Sequence, residues 1–131
     1  PEISPLSMEI AKRALSGNNR VLGICLGHQA LGLADGMELN ECPLGPVHGV
    51  PEIIKFDCSG LFSSQGEGVM TRYNSLILSG EPTRLEVNIT DATGSLIMGL
   101  TDGKNVHGLQ FHPESIGSVD GGELIADFLR I

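Results

Sequence analysis

The chain has 131 residues, 40% of them hydrophobic, with four Phe, one Tyr and no Trp. That is enough for one domain with a real core. A net charge of −8 without a Lys/Arg cluster argues against a nucleic-acid role, no apolar run reaches membrane-span length, and three cysteines without a framework spacing point to a reducing, cytoplasmic setting.

Elements follow in chain order. Ser4 fits an N-cap with Pro5 at the first helical position. Leu6, Ile10, Ala14 and Leu15 recur at helical spacing, Lys12 and Arg13 suit the last turn, and Gly17 ends the helix. A strand is expected over Arg20–Ile24, then a tight turn at Cys25, then a helix over Gly27–Asp35 stopped by Gly36. Helix, strand and helix in succession predict an α/β layer with a parallel sheet. A short strand is expected at Met37–Leu39, and one over Val50–Phe56 at a sheet edge, because Pro51 cannot donate to a ladder. Asp57-Cys58-Ser59-Gly60 reads as a turn, and Val69–Arg72 as an extended piece leading into Tyr73-Asn74-Ser75-Leu76. Leu85, Val87 and Ile89 alternate with polar residues, predicting a half-buried strand. Ser95–Leu100 and Asn105–Phe111 complete a three-strand meander, and a helix carrying Leu124, Ile125, Phe128 and Leu129 closes the chain.

Two constellations carry chemistry. Gly23-Ile24-Cys25-Leu26-Gly27 is the cysteine form of a nucleophile elbow. Small residues on both sides of Cys25 let strand and helix approach. The helix start aims N–H groups and its positive end at the sulfur, favouring thiolate, and the Leu26 N–H is placed to meet an oxyanion. His112-Pro113-Glu114 supplies a base at the end of a strand, with a carboxylate across a rigid proline to fix the imidazole. Gln29, one turn into the elbow helix, can face the pocket, and the backbone at Ser75 and Leu76 can hold an extended ligand. His28 reads as a packing or capping residue. His48 and His107 have no assignable partner, and Cys42 and Cys58 read as structural or incidental. No zinc spacing or phosphate loop is present, so no metal and no cofactor are expected.

Three ordered motifs, Gly-Ile-Cys-Leu-Gly-His-Gln at 23–29, Arg-Tyr-Asn-Ser-Leu at 72–76 and Gln-Phe-His-Pro-Glu-Ser at 110–115, resemble the class I (triad) glutamine amidotransferases. Within that family they are most similar to the glutaminase component of anthranilate synthase and aminodeoxychorismate synthase. The resemblance implies a flavodoxin-like α/β fold, with a mostly parallel sheet flanked by helices and a C-terminal strand meander, over a single domain at 1–131. It implies that Cys25 attacks the side-chain amide of L-glutamine, that His112 oriented by Glu114 moves the proton, and that Leu26, Gln29, Ser75 and Leu76 contact the substrate. Ammonia would pass to a chorismate-binding synthase subunit or fused domain.

Two departures from the family pattern stand out. Asn74 occupies a position where the family has His, which predicts a local change at the pocket or the partner face. The family also has about one-third more chain before this start, including the first strands and a Pro-Gly loop with further oxyanion contacts. The opening Pro1-Glu2-Ile3-Ser4-Pro5 therefore reads as a cut. Loss of one oxyanion donor costs roughly 10²–10³ in rate. That keeps two alternatives in view: a non-catalytic remnant that docks on a partner, and a cysteine hydrolase of γ-glutamyl peptides.

Overall fold

A computed structural model describes residues 3–43, 45–57 and 66–130. The expected turn at 57–60 falls mostly outside them, and so does Cys58. The first helix, α1, spans Pro5–Ser16 and is followed by β1 at Val21–Ile24 and α2 at Leu26–Ala34. Seven further strands are β2 (Glu38–Glu41), β3 (Val47–Phe56), β4 (Glu67–Asn74), β5 (Leu76–Ser79), β6 (Glu86–Asp91), β7 (Ile97–Thr101) and β8 (Val106–Leu109). The final helix, α3, spans Gly121–Leu129.

Local chemistry sets the first helix as expected. The Ser7 N–H donates to Ser4 Oγ at 3.1 Å, Pro5 opens the first turn, and Gly17 follows the last residue. Ala11 and Ala14 form its buried stripe.

The main sheet runs β1-β8-β7-β6-β3-β4, and β2 pairs with β5 in a separate ribbon. Among the described residues only the β1–β8 pairing is parallel. The other pairings, β3–β4, β3–β6, β6–β7, β7–β8 and β2–β5, are antiparallel. The α/β class and the β6–β7–β8 meander match expectation, but the sheet is mixed rather than mostly parallel. Short turns join β6 to β7 and β7 to β8, and a short turn can return the chain only antiparallel. The parallel β1–β8 pair is joined by a long crossover, as a parallel neighbour requires.

Two other strand expectations are corrected. β3 is not simply an edge strand: Ile54, Lys55 and Phe56 also pair with β6. Pro51 lies in the part of β3 paired with β4 alone, which is where a residue lacking an N–H is tolerated. In β6 the inside/outside alternation breaks. The register shifts between Val87 and Ile89, so Asn88 and Ile89 are both buried.

Helices cover the sheet. α1 and α2 pack through Ala11, Ala14, Ala30 and Leu31 with Leu100 and Val106. A second core joins Ile54, Phe56, Met70, Leu109 and Phe111 to Leu124 of α3. All four residues of β8 are buried, as suits an interior strand. Beyond β4 the sheet curls back on itself, because Thr71 of β4 forms an antiparallel bridge with His112 just past β8. That curl sets the geometry of the site. No helix among the described residues is long and apolar enough to cross a membrane.

Candidate active site

Cys25 sits between β1 and α2 with φ 52° and ψ −100°. Among the described residues it is the only non-glycine with positive φ. Such a conformation costs about 1–3 kcal/mol and persists only where its surroundings enforce it. Here the Cys25 N–H donates to Leu109 O at 2.8 Å, which ties the turn to β8, and the Gln29 N–H donates to Cys25 O at 3.0 Å, which starts the helix. A Cβ on Gly23 would lie 2.7 Å from the Gly27 carbonyl carbon, so strand and helix approach as closely as the elbow requires. The same does not hold for Gly27, where a Cβ would meet nothing within 4 Å. Only the first of the two glycines is needed for the approach.

The candidate base is built from a different part of the fold. β8 runs out through Gln110 and Phe111 to His112, whose N–H donates to Thr71 O at 2.7 Å. Ser118 Oγ accepts from the Thr71 N–H at 2.8 Å and donates to His112 O. Asp120 accepts from the Val69 N–H at 2.8 Å. The segment after the base is thus stitched to β4. Gly121 packs so tightly that a Cβ there would fall 1.8 Å from Pro113 O. Within this frame His112 Nδ1 lies 3.0 Å from Glu114 Oε2. That partner fixes Nδ1 as the donor and leaves Nε2 for the reacting group.

Tyr73 joins the two halves. Its carbonyl lies 3.8 Å from Cys25 Sγ, and its ring meets the His112 ring edge to face at 5.3 Å. Cys25, Leu26, Gln29, Ser75 and Leu76, five of the residues singled out in the sequence, line one cavity of about 190 Å³ with Tyr73 and Asn74. His112 and Glu114 stand beside it rather than in its lining. A larger apolar groove of about 220 Å³ runs behind the elbow between α1 and β1, lined by Ile10, Ala11, Val21 and Leu22 among others. Cys25, His112 and Glu114 are absent from its lining.

The electrostatics correct one expectation. Burial pushes the Cys25 thiol above its ordinary pKa and outweighs the lowering by the Leu26 N–H and the Gln110 side chain, while the Glu114 charge adds to the rise. The helix start alone therefore does not produce a resting thiolate, because desolvation disfavours the charged form more strongly. His28 is fully buried between α2 and Gly108, and burial drives its pKa down to about 3 against a small opposite pull from the Gly108 backbone. It is a neutral packing residue. His107 does have partners, contrary to expectation: its Nδ1 meets Thr101 Oγ1 at 2.9 Å and its Nε2 meets Lys104 O at 3.3 Å. Burial lowers its pKa as well. Both described cysteines, Cys25 and Cys42, are free thiols. Among the described residues no cluster of His, Cys, Asp or Glu could hold a metal ion.

Gln110 and Ser118 escaped the sequence reading, and for Asn74 the sequence indicated a departure but not its direction. Asn74 turns inward, donating to Leu76 O at 2.9 Å and to Cys42 Sγ at 3.3 Å. The departure at this position is therefore a feature of the pocket. Gln110 is fully buried and reaches Cys25 Sγ at 3.7 Å. The available signal was its place two residues before His112, since residues i and i+2 of an extended segment share a face. Ser118 carried no local signal.

The sequence matches the family Glutamine amidotransferase class-I over residues 2–131. It is 38% identical over 134 residues to anthranilate synthase component 2 of Cyanophora paradoxa, covering 99% of this chain and 70% of that protein. It is 38% identical over 119 residues to aminodeoxychorismate synthase of Streptomyces griseus, covering 90% of this chain but 16% of that protein. The crystal structure of a glutamine amidotransferase from Thermotoga maritima superposes with a TM-score of 0.73 at 20% identity, over 95% of this chain and 51% of that one.

Proposed function

Because the chain belongs to the class-I glutamine amidotransferase family, we propose that it hydrolyses glutamine and delivers ammonia to a synthase that aminates chorismate. The observation that carries this reading is the strained Cys25 sharing Tyr73 with a His112 that Glu114 holds at 3.0 Å. The related anthranilate and aminodeoxychorismate synthase proteins support the choice of acceptor. Free thiols at Cys25 and Cys42 suit a cytoplasmic location.

The chemistry runs in two halves. Glutamine lies in the cavity with its amino-acid end toward Gln29 and along the Ser75–Leu76 backbone. Cys25 gives its proton to His112 Nε2 as the sulfur attacks the carboxamide carbon. The Leu26 N–H meets the resulting oxyanion. His112 then protonates the leaving nitrogen, the C–N bond breaks, and ammonia departs from a γ-glutamyl thioester. In the second half His112 takes a proton from water, the hydroxide attacks the thioester carbon, and the C–S bond breaks. The sulfur recovers its proton and glutamate leaves. A thiol whose pKa is raised by burial makes the base indispensable, since the proton must be moved during attack.

Labelling with a diazo-ketone analogue of glutamine tests the reading. A single adduct mapped to Cys25, suppressed by free glutamine, is the expected result. A folded full-length protein that takes no adduct and releases no ammonia from glutamine in the presence of its synthase would refute it.

A further inference from the structure

One buried side chain outside the Cys25, His112 and Glu114 set reaches the sulfur. Gln110 has no exposed surface, and its Nε2 lies 3.7 Å from Cys25 Sγ. Its Oε1 accepts from Gln29 Nε2 at 3.1 Å, and Gln29 Nε2 also donates to the backbone oxygen of Leu76 at 3.2 Å. These contacts form a chain whose direction is forced. A backbone carbonyl can only accept, so Gln29 must turn its NH₂ toward Leu76. The same NH₂ faces Gln110, so Gln110 must present its oxygen to Gln29. That leaves the Gln110 NH₂ aimed at sulfur. Asn74 Nδ2 adds a second donor to Leu76 O at 2.9 Å, which occupies the other lone pair and holds the starting point of the chain in place.

We propose that Gln110 is a positioning residue for the nucleophile, donating a hydrogen bond to Cys25 Sγ in an orientation transmitted from the Leu76 carbonyl through Gln29. The inference rests on the reading of Cys25 as the attacking group. In the resting state the thiol proton points to Tyr73 O, 3.8 Å away, and the sulfur lone pairs face Gln110. Once the proton leaves, the Tyr73 carbonyl has nothing to accept. The Gln110 N–H remains and strengthens, because a charged acceptor forms the stronger bond. The other groups acting on the sulfur are the Leu26 N–H, which helps the anion, and Glu114, which opposes it. The His112 imidazole stands between that carboxylate and the Tyr73 ring. Among the described residues Gln110 is thus the one side chain placed to favour thiolate without itself changing charge. The Ser75–Leu76 backbone, proposed to hold glutamine, is the same backbone that orients the group acting on sulfur.

The test is the pH profile of Cys25 alkylation by iodoacetamide in the full-length protein, read by peptide mapping with Cys42 as an internal reference. It needs no glutamine turnover, so its outcome is separate from that of the glutaminase reading. In Gln110→Met the Cys25 midpoint is expected to rise by about one pH unit, about tenfold slower alkylation below the midpoint, as for loss of a hydrogen bond to a charged acceptor. The Cys42 profile should stay where it is. Gln110→Glu keeps the shape and places an acceptor against sulfur, and should shift the midpoint upward at least as far. A folded Gln110→Met with the wild-type Cys25 profile would overturn the proposal. A second readout leaves Gln110 intact. In protein carrying ¹⁵N-labelled glutamine side chains, the Gln110 amide signals should move as Cys25 titrates and stay fixed in Cys25→Ser. Signals blind to Cys25 ionisation would overturn it equally.

Discussion

The elbow and the base turn solve the same problem in opposite ways. Around Cys25 the geometry is local. A glycine two residues back, a helix beginning at the next residue and one bond to β8 hold the proposed nucleophile at φ 52°. Around His112 it is borrowed. The proposed base stands just past β8, but its backbone is clamped by Thr71 and Ser118, which depend on β4 lying alongside, and by the contact between Gly121 and Pro113. A strained residue is safest where its immediate neighbours enforce it. A proton carrier needs to be held at both ends, and one strand cannot do that alone.

If the two regions are independently built, they should fail independently. Gly121→Ala puts a methyl group where Pro113 O now lies and must displace the base turn. Glutamine turnover should fall by about 10²–10⁴, the usual contribution of a general acid–base group, while iodoacetamide still reaches Cys25. Equal loss of alkylation and turnover would show that the regions are one unit. Gly23→Ala is the reciprocal change: its methyl meets backbone rather than a yielding side chain. It should destabilise by about 1–3 kcal/mol, seen as a lower Tm, with the His112 turn unperturbed by NMR. An unchanged Tm would mean that strand and helix are not held as close as described.

Two smaller effects sharpen the elbow side. His28 is protonated in the unfolded chain below about pH 6.5 but in the folded state only near pH 3. Its folded pKa is depressed, so the stability it contributes is present above pH 6.5 and is lost as pH falls toward 3. By pH 5 the loss is about 2 kcal/mol. His28→Leu should flatten that part of the stability curve in urea titrations at successive pH values, and a slope identical to wild type would exclude this role. Cys25→Gly removes the positive-φ strain along with the nucleophile. It should abolish turnover yet raise stability by about 1 kcal/mol over Cys25→Ser, and a lower Tm than Cys25→Ser would contradict the strain argument.

What could be read in advance divides along the same line. The α1 cap, the elbow turn and the His112–Glu114 pair depend on residues a few positions apart, and each was visible as a spacing. The mixed sheet depends on which distant strands pair, and the Thr71–His112 bridge and the clamp at Ser118 depend on the curl; no short window encodes either. Asn74 was noticed as a departure, but its direction into the pocket depends on Cys42 and Leu76 being where the fold puts them. The raised Cys25 pKa was misjudged because the helix start can be counted from sequence, whereas the desolvation opposing it depends on what covers the sulfur.

The parallel pairing of β1 with β8 has a kinetic consequence. It joins Val21 to Val106, 85 positions apart in sequence, whereas the β6–β7–β8 meander closes through neighbouring strands. Short-range pairings form fast, and distant ones wait for a long loop to close. Leu109, which anchors the Cys25 turn, and Thr71, which anchors His112, both act across such distant contacts. A partly folded chain therefore holds its thiol and its imidazole apart. The thiol and the imidazole are brought together only once those distant contacts are made, so a molecule lacking them does not hold the proposed pair side by side.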